Sequence, residues 1–144
     1  MDETHTGGCS CGAVRYRVHG KPNFVAVCHC KFCQRRLASA FAMLAAFDEK
    51  FVAITFGELT ECEHRSDESG RWLKMEFCGK CGTTVAHTAE VRPRTRMIAA
   101  GTFDQTDWFS VDRHIWTQSK QAWVTIPPNL MAYPKGVPPA PSKA

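Results

Sequence analysis

Three thiols fall within six residues at Cys28-His29-Cys30-Lys31-Phe32-Cys33, in the pattern C-x-C-x-x-C. Sulfurs this close can converge on one metal ion, but three of them cannot all pair with one another as disulfides. Soft thiolate ligands select zinc, and its filled d shell tolerates whatever angles the protein supplies, so zinc is the expected occupant. Two pairs, Cys9-Ser10-Cys11 and Cys78-Gly79-Lys80-Cys81, and a lone Cys62 complete the eight cysteines. Without Cys62, the remainder divides most economically into a closed site of four and an open site of three. From spacing, the simplest partition keeps the triple on its own ion and joins the two pairs as a four-thiolate staple. Metal binding free energy at such a staple becomes folding free energy.

Three thiolates give zinc a net negative charge and make it a weaker Lewis acid than one held by neutral histidines. Such a centre favours a bound sulfur as a nucleophilic thiolate over hydroxide for hydrolysis, and an external thiol in the fourth position would be deprotonated there. The expected chemistry is therefore attack by, or release of, a thiolate at a small electrophilic carbon.

Alternative uses of the cysteines are weighed by context. A redox C-x-x-C begins a helix in a βαβ unit, whereas Cys78 and Cys81 stand between strand-like flanks. The opening Met1 to Thr6 is polar, and the longest apolar run, Phe41 to Phe47, is seven residues. Neither a signal peptide nor a membrane span is expected, and a reducing cytoplasmic setting favours metal ligands over disulfides. The chain has 144 residues, 44% hydrophobic and 22% charged, which suits one globular domain. The net charge of +4 is spread out and argues against nucleic-acid binding. Lys31, Arg35 and Arg36 around the triple could attract an anionic substrate. Arg92, Arg94 and Arg96 read as a solvated face.

The elements that position these groups are mostly strands. Val14, Tyr16 and Val18 alternate with Arg15 and Arg17, as in a half-buried strand. Phe24 to Val27 is a second strand running into Cys28. In extended chain, residues two apart share a side at about 6.6 Å between Cα atoms, so Cys28 and Cys30 can aim together while His29 points away. Phe32 to Ala38 is a short helix, and Phe41 to Phe47, Phe51 to Phe56, Leu59 to His64, Arg71 to Phe77, Thr83 to Thr88, Arg96 to Ala100 and His114 to Thr117 are further strands. Gly79 and Gly82 are expected to supply positive φ at the second knuckle. The domain is placed at residues 1–128 and a proline-rich tail at 129–144, with Lys135 to Ala144 expected to be disordered, since six of the eight prolines lie from Pro127 onward.

The ordered set Gly8-Cys9-x-Cys11-Gly12-x-Val14-Arg15-Tyr16, Cys28-His29-Cys30-x-x-Cys33, Phe77-Cys78-x-x-Cys81-Gly82-Thr83, Gly101-Thr102-Phe103-Asp104 and His114-Ile115, then Trp123, resembles the glutathione-dependent formaldehyde-activating enzyme family, whose domain is shared with centromere-protein V. The resemblance implies a mainly β, zinc-stapled, β-tent-like fold of several short antiparallel sheets with one short helix. It implies two zinc ions per chain, a structural one on Cys9, Cys11, Cys78 and Cys81 and a catalytic one on Cys28, Cys30 and Cys33. The implied activity is that of a carbon–sulfur lyase joining glutathione and formaldehyde as S-(hydroxymethyl)glutathione. Glutathione's two carboxylates suit Lys31, Arg35 and Arg36. Where the family carries a Ser-Gly element, Leu37-Ala38 stands instead, so Gln34 to Ala38 is expected to decide the substrate.

His114 is read either as an acid or base and substrate contact at the site or as a hydrogen-bonded core residue. Asp104 is expected to cap a turn, Trp108, Trp116 and Trp123 to form core or pocket wall, and Cys62 to be a small buried hydrophobe. A non-catalytic zinc scaffold is the competing reading, and a fourth protein ligand such as His29 or His114 closing the triple would favour it.

Overall fold

The structure, a computed structural model, describes residues 3–137. In chain order the strands are β1 (Thr4–Gly8), β2 (Arg15–His19), β3 (Phe24–Cys28), β4 (Ala42–Asp48), β5 (Val52–Phe56), β6 (Leu59–Arg65), β7 (Trp72–Cys78), β8 (Thr84–Ala89), β9 (Arg92–Ala99), β10 (Arg113–Ile115) and β11 (Met131–Ala132). The one α-helix among the described residues, α1 (Lys31–Leu37), follows β3. The described chain forms two compact units, residues 3–25 with 43–110 and residues 26–42 with 111–137.

In the first unit β1, β2 and β5 make an antiparallel sheet, and β4, β9, β8, β7 and β6 pair antiparallel in that order. The alternation read at β2 is real. Val14, Tyr16 and Val18 are all buried, each apolar side chain contributing about 1.5–3 kcal/mol. Tyr16 and Phe47 pack edge-on against Phe103, with ring centroids 5.5 and 6.3 Å apart, and Trp108 borders the same cluster at 5.0 Å.

Several surface expectations are corrected here. Asp104 does not cap a turn. It receives a two-pronged ion pair from Arg15 and a hydrogen bond from Thr6 Oγ1 at 2.7 Å, which ties it to β1 and β2. Arg96 is not on a solvated face, because its guanidinium forks onto Glu76 across β9 and β7, with Nε 2.9 Å from Oε1. Cys62 is exposed, on a strand whose residues face solvent on both sides. β1 was not foreseen, because Gly7-Gly8 reads as turn rather than strand, although β1 pairs residue by residue with β2.

The second unit holds Ala26 to Cys28 of β3 beside β10, in register His114↔Val27 and Ile115↔Cys28. This pairing is parallel, as is that of β10 with β11, so this sheet is mixed, whereas that of β1, β2 and β5 is antiparallel. Val25 to Cys28 are all buried, and a continuous apolar run is what a strand covered on both faces requires. The expected tail begins with ordered backbone. β11 and the residues after it strap β10 through Tyr133 N to His114 O (2.9 Å) and Trp116 N to Lys135 O (2.9 Å). Residues 138–144, where most of the expected disorder falls, lie outside the described residues. Trp123 is 70% exposed and is not core.

Candidate metal centres

The first centre joins two turns of the first unit. In one, Cys9 N donates to Val14 O (3.1 Å), Val14 N to Cys9 Sγ (3.2 Å) and Gly12 N to Cys9 O (3.2 Å). In the other, Cys78 N donates to Thr83 O (2.9 Å), Cys81 N to Cys78 Sγ (3.4 Å) and Gly82 N to Cys78 O (2.8 Å). Each turn closes on a glycine with φ near +80°, at Gly12 and Gly82, where an L side chain would be strained. Gly79 is not in that region. A Cβ there would come within 2.6 Å of Thr60 Oγ1, so close packing is its reason.

The sulfurs of Cys9, Cys11, Cys78 and Cys81 all lie within 4.8 Å of one another, a group able to hold a metal ion. Cys9 and Cys11 are 3.7 Å apart and Cys11 and Cys78 3.8 Å. A tetrahedron with Zn–S bonds of about 2.3 Å has edges of about 3.8 Å, so the donor set fits zinc. Ser10 and Thr83 link the two turns through their hydroxyls, 3.0 Å apart. Those same hydroxyls hold the Cys81 thiol down to about 4.

The second centre is local. Cys28 ends β3, Cys30 caps α1 with its sulfur accepting from Cys33 N at 3.3 Å, and Cys33 lies in the first helical turn. The three sulfurs lie within 4.8 Å of one another, and neither His29 nor His114 belongs to the group. The thiols of Cys28 and Cys33 hold Cys30 down to about 3, while contact with Cys30 pushes Cys28 up to about 12 and Cys33 is raised by both neighbours.

Around the triple, Lys31 and Arg35 are exposed one helical turn apart, and Arg36 is half-buried. His29 and His114 are buried, joined by a hydrogen bond of 2.9 Å between His29 Nε2 and His114 Nδ1, and burial lowers the pKa of both. The sequence marks Gln34 only as the start of the Gln34-to-Ala38 segment and gives it no role of its own. Its partners include Ser119 and Gln121, far along the chain, and no local pattern announces them. A cavity of about 270 Å³ near Trp72, Glu90 and Arg92 holds none of the clustered sulfurs.

Residues 4–119 match the family described as glutathione-dependent formaldehyde-activating enzyme, a span that includes every one of the seven clustered cysteines. The chain belongs to that family. A solved structure of a Rhodobacter sphaeroides protein is similar in fold, with a TM-score of 0.55 at 23% identity over 74% of this chain and 96% of that one. Formaldehyde activation is the function associated with the glutathione-dependent formaldehyde-activating enzyme family, and the present member carries two cysteine clusters that could bind metal ions. No helix among the described residues is long and apolar enough to cross a membrane.

Proposed function

We propose that this protein is a zinc-dependent carbon–sulfur lyase that joins and separates a thiol such as glutathione and a small aldehyde such as formaldehyde. The observation carrying this reading is the three-sulfur group, which no fourth protein ligand joins among the described residues. A set of three protein ligands with an open position is the pattern of catalytic zinc, and a set of four that of structural zinc. The absence of His29 and His114 from the group speaks against the closed scaffold site.

Cys28, Cys30 and Cys33 would hold the catalytic ion, and Cys9, Cys11, Cys78 and Cys81 the structural one. When bound, zinc supplies a position at which an incoming sulfur is kept deprotonated. Lys31 and Arg35, exposed beside the cluster, would receive the carboxylates of glutathione, and half-buried Arg36 would add positive potential behind them. His114 would act through His29 and not on the substrate, since it is buried and bonded to that ring. The glutathione sulfur attacks the carbonyl carbon, the C–S bond forms as the carbonyl π bond breaks toward oxygen, and that oxygen takes up the proton given up by the thiol. The product is S-(hydroxymethyl)glutathione, and the reverse sequence cleaves it. Metal ligation requires reduced thiols, which suits the cytoplasm.

The test is to measure zinc per chain and titrate glutathione while following the coordination of the metal. Two zinc ions, one of which changes coordination on adding glutathione, is the expected result. A single zinc, or a second that ignores thiols, overturns the proposal.

A further inference from the structure

The residue between the first two sulfur ligands of the triple is held at three points. His29 N donates to Ile115 O (3.0 Å), its Nε2 shares the hydrogen bond with His114, and its carbonyl accepts from Gln34 Nε2 (2.7 Å). Gln34 Nε2 also donates to Ser119 O (3.0 Å), and Gln34 Oε1 accepts from Gln121 Nε2 (3.2 Å). Both amide protons and the oxygen of one carboxamide are thereby committed. Gln121 Oε1 in turn accepts from the exposed Trp123 indole at 2.6 Å.

The geometry has a direct consequence for the sulfurs. The carbonyl of His29 lies in the same rigid peptide plane as the nitrogen of Cys30, so holding that oxygen fixes the direction from which Cys30 projects its side chain. The preceding plane, shared by Cys28 and His29, is fixed by Ile115. Cys33 follows on the helix that Cys30 caps, with Gln34 N donating to Cys30 O at 3.0 Å. The backbone that carries the three cysteines is therefore held by hydrogen bonds between protein groups, and the Cys30 sulfur itself accepts from Cys33 N.

We propose that Gln34 is a positioning residue of the three-thiolate site, its carboxamide orienting the His29–Cys30 peptide so that Cys30 Sγ is aimed before a metal binds. The proposal deepens the reading of this cluster as the open zinc centre and rests on it. A six-residue loop with only three ligands has no fourth protein group to hold its shape when a substrate ligand leaves. Gln34 supplies that restraint from outside the ligand set.

The test uses the full chain loaded with cobalt(II) and the variant Gln34→Met, similar in length but without donors. The expected results are an altered d–d absorption envelope of the three-thiolate site without any thiol present, and glutathione binding about tenfold weaker, as fits an unpaired buried carbonyl beside a ligand. A merely structural role would lower the melting temperature and leave the spectrum and the thiol affinity of the folded protein unchanged, and that result overturns the proposal. If Gln34→Met does not fold, Gln121→Ala decides, because it removes the bond to Gln34 Oε1 and, besides that, the bond from the exposed Trp123 indole, which touches neither Gln34 nor the cysteines. A smaller spectral change in the same direction supports the proposal, and an unchanged spectrum refutes it. A wild-type protein whose cobalt spectrum ignores glutathione would refute the thiol chemistry, while the thiol-free spectra would still decide the role of Gln34.

Discussion

The four-sulfur cluster is assembled from two turns distant in sequence, whereas the three-sulfur cluster is complete within six residues of chain. The first alternates buried Cys9 and Cys78 with exposed Cys11 and Cys81, and hydroxyls of Ser10 and Thr83 stitch its halves together. The second has buried Cys28 and half-buried Cys30 and Cys33, and its supports are a histidine pair and a glutamine. The difference is one of what each site must hold. A cluster closed across distant turns is formed only when the chain has folded, so a metal there stabilises the fold. A cluster written into one loop can form early, and its shape has to be maintained by neighbours that are not ligands. A cluster of the second kind could exchange a ligand without losing its structure, as the proposed substrate site requires.

The largest effect expected from this contrast separates two serine substitutions. Cys81→Ser opens the four-sulfur staple, where metal binding free energies are on the order of 10 kcal/mol, comparable to the whole stability of a small protein. We expect the zinc-loaded variant to lose its cooperative urea transition and its near-ultraviolet circular dichroism. Cys30→Ser is expected to keep both and to lose the response to glutathione. Equal folding and equal response in the two variants would dissolve the distinction between the clusters.

An intermediate effect concerns pH. Burial lowers the pKa of His29 and His114, so below the ordinary value of about 6.5 the unfolded chain binds protons that the folded one does not. Their contribution is fully present above that value and is lost as pH falls through the window down to the depressed pKa values. Urea unfolding between pH 8 and 5.5, with zinc saturating, should show stability declining toward acid. His114→Asn keeps a hydrogen-bonding group near the position of Nδ1 and should give a shallower decline. An identical slope in the variant would remove the histidine pair from the supports of the second centre.

The smallest effect lies at the far end of α1. Ala38, its C-cap, has φ +50° and ψ +47°, the left-handed conformation that glycine adopts without strain. Ala38→Gly should stabilise the protein by about 0.5–1 kcal/mol in urea unfolding. Glutathione binding should be unchanged, since the sulfurs lie at the helix's other end. A change in thiol affinity would show that the whole helix, and not only its first turn, shapes the open centre.

The position of Leu37-Ala38 illustrates how far the sequence could be read. The break with the Ser-Gly pattern was visible in the residues, but the left-handed φ it imposes on alanine was not. The candidate ligand clusters were legible because sulfur chemistry and close spacing are local properties, and the mainly β character was legible because alternation at Val14, Tyr16 and Val18 and the apolar run into Cys28 are local too. β1 was missed because its strand character comes from pairing with β2 and not from its own residues. Asp104 and Arg96 were misread for the same reason, as their ion-pair partners Arg15 and Glu76 are remote in sequence.

By itself the sequence determined which atoms could ligate a metal, their grouping into a pair, a triple and a pair, and the strands that lead into each. Tertiary structure alone brought the two pairs to within tetrahedral edge distances, buried His29 against His114 and set the Gln34 carboxamide on the carbonyl between Cys28 and Cys30. The division has a physical cause. Ligand type and short-range geometry are carried by neighbouring residues, whereas hydrogen bonds and ion pairs between distant segments exist only once burial has set those segments side by side.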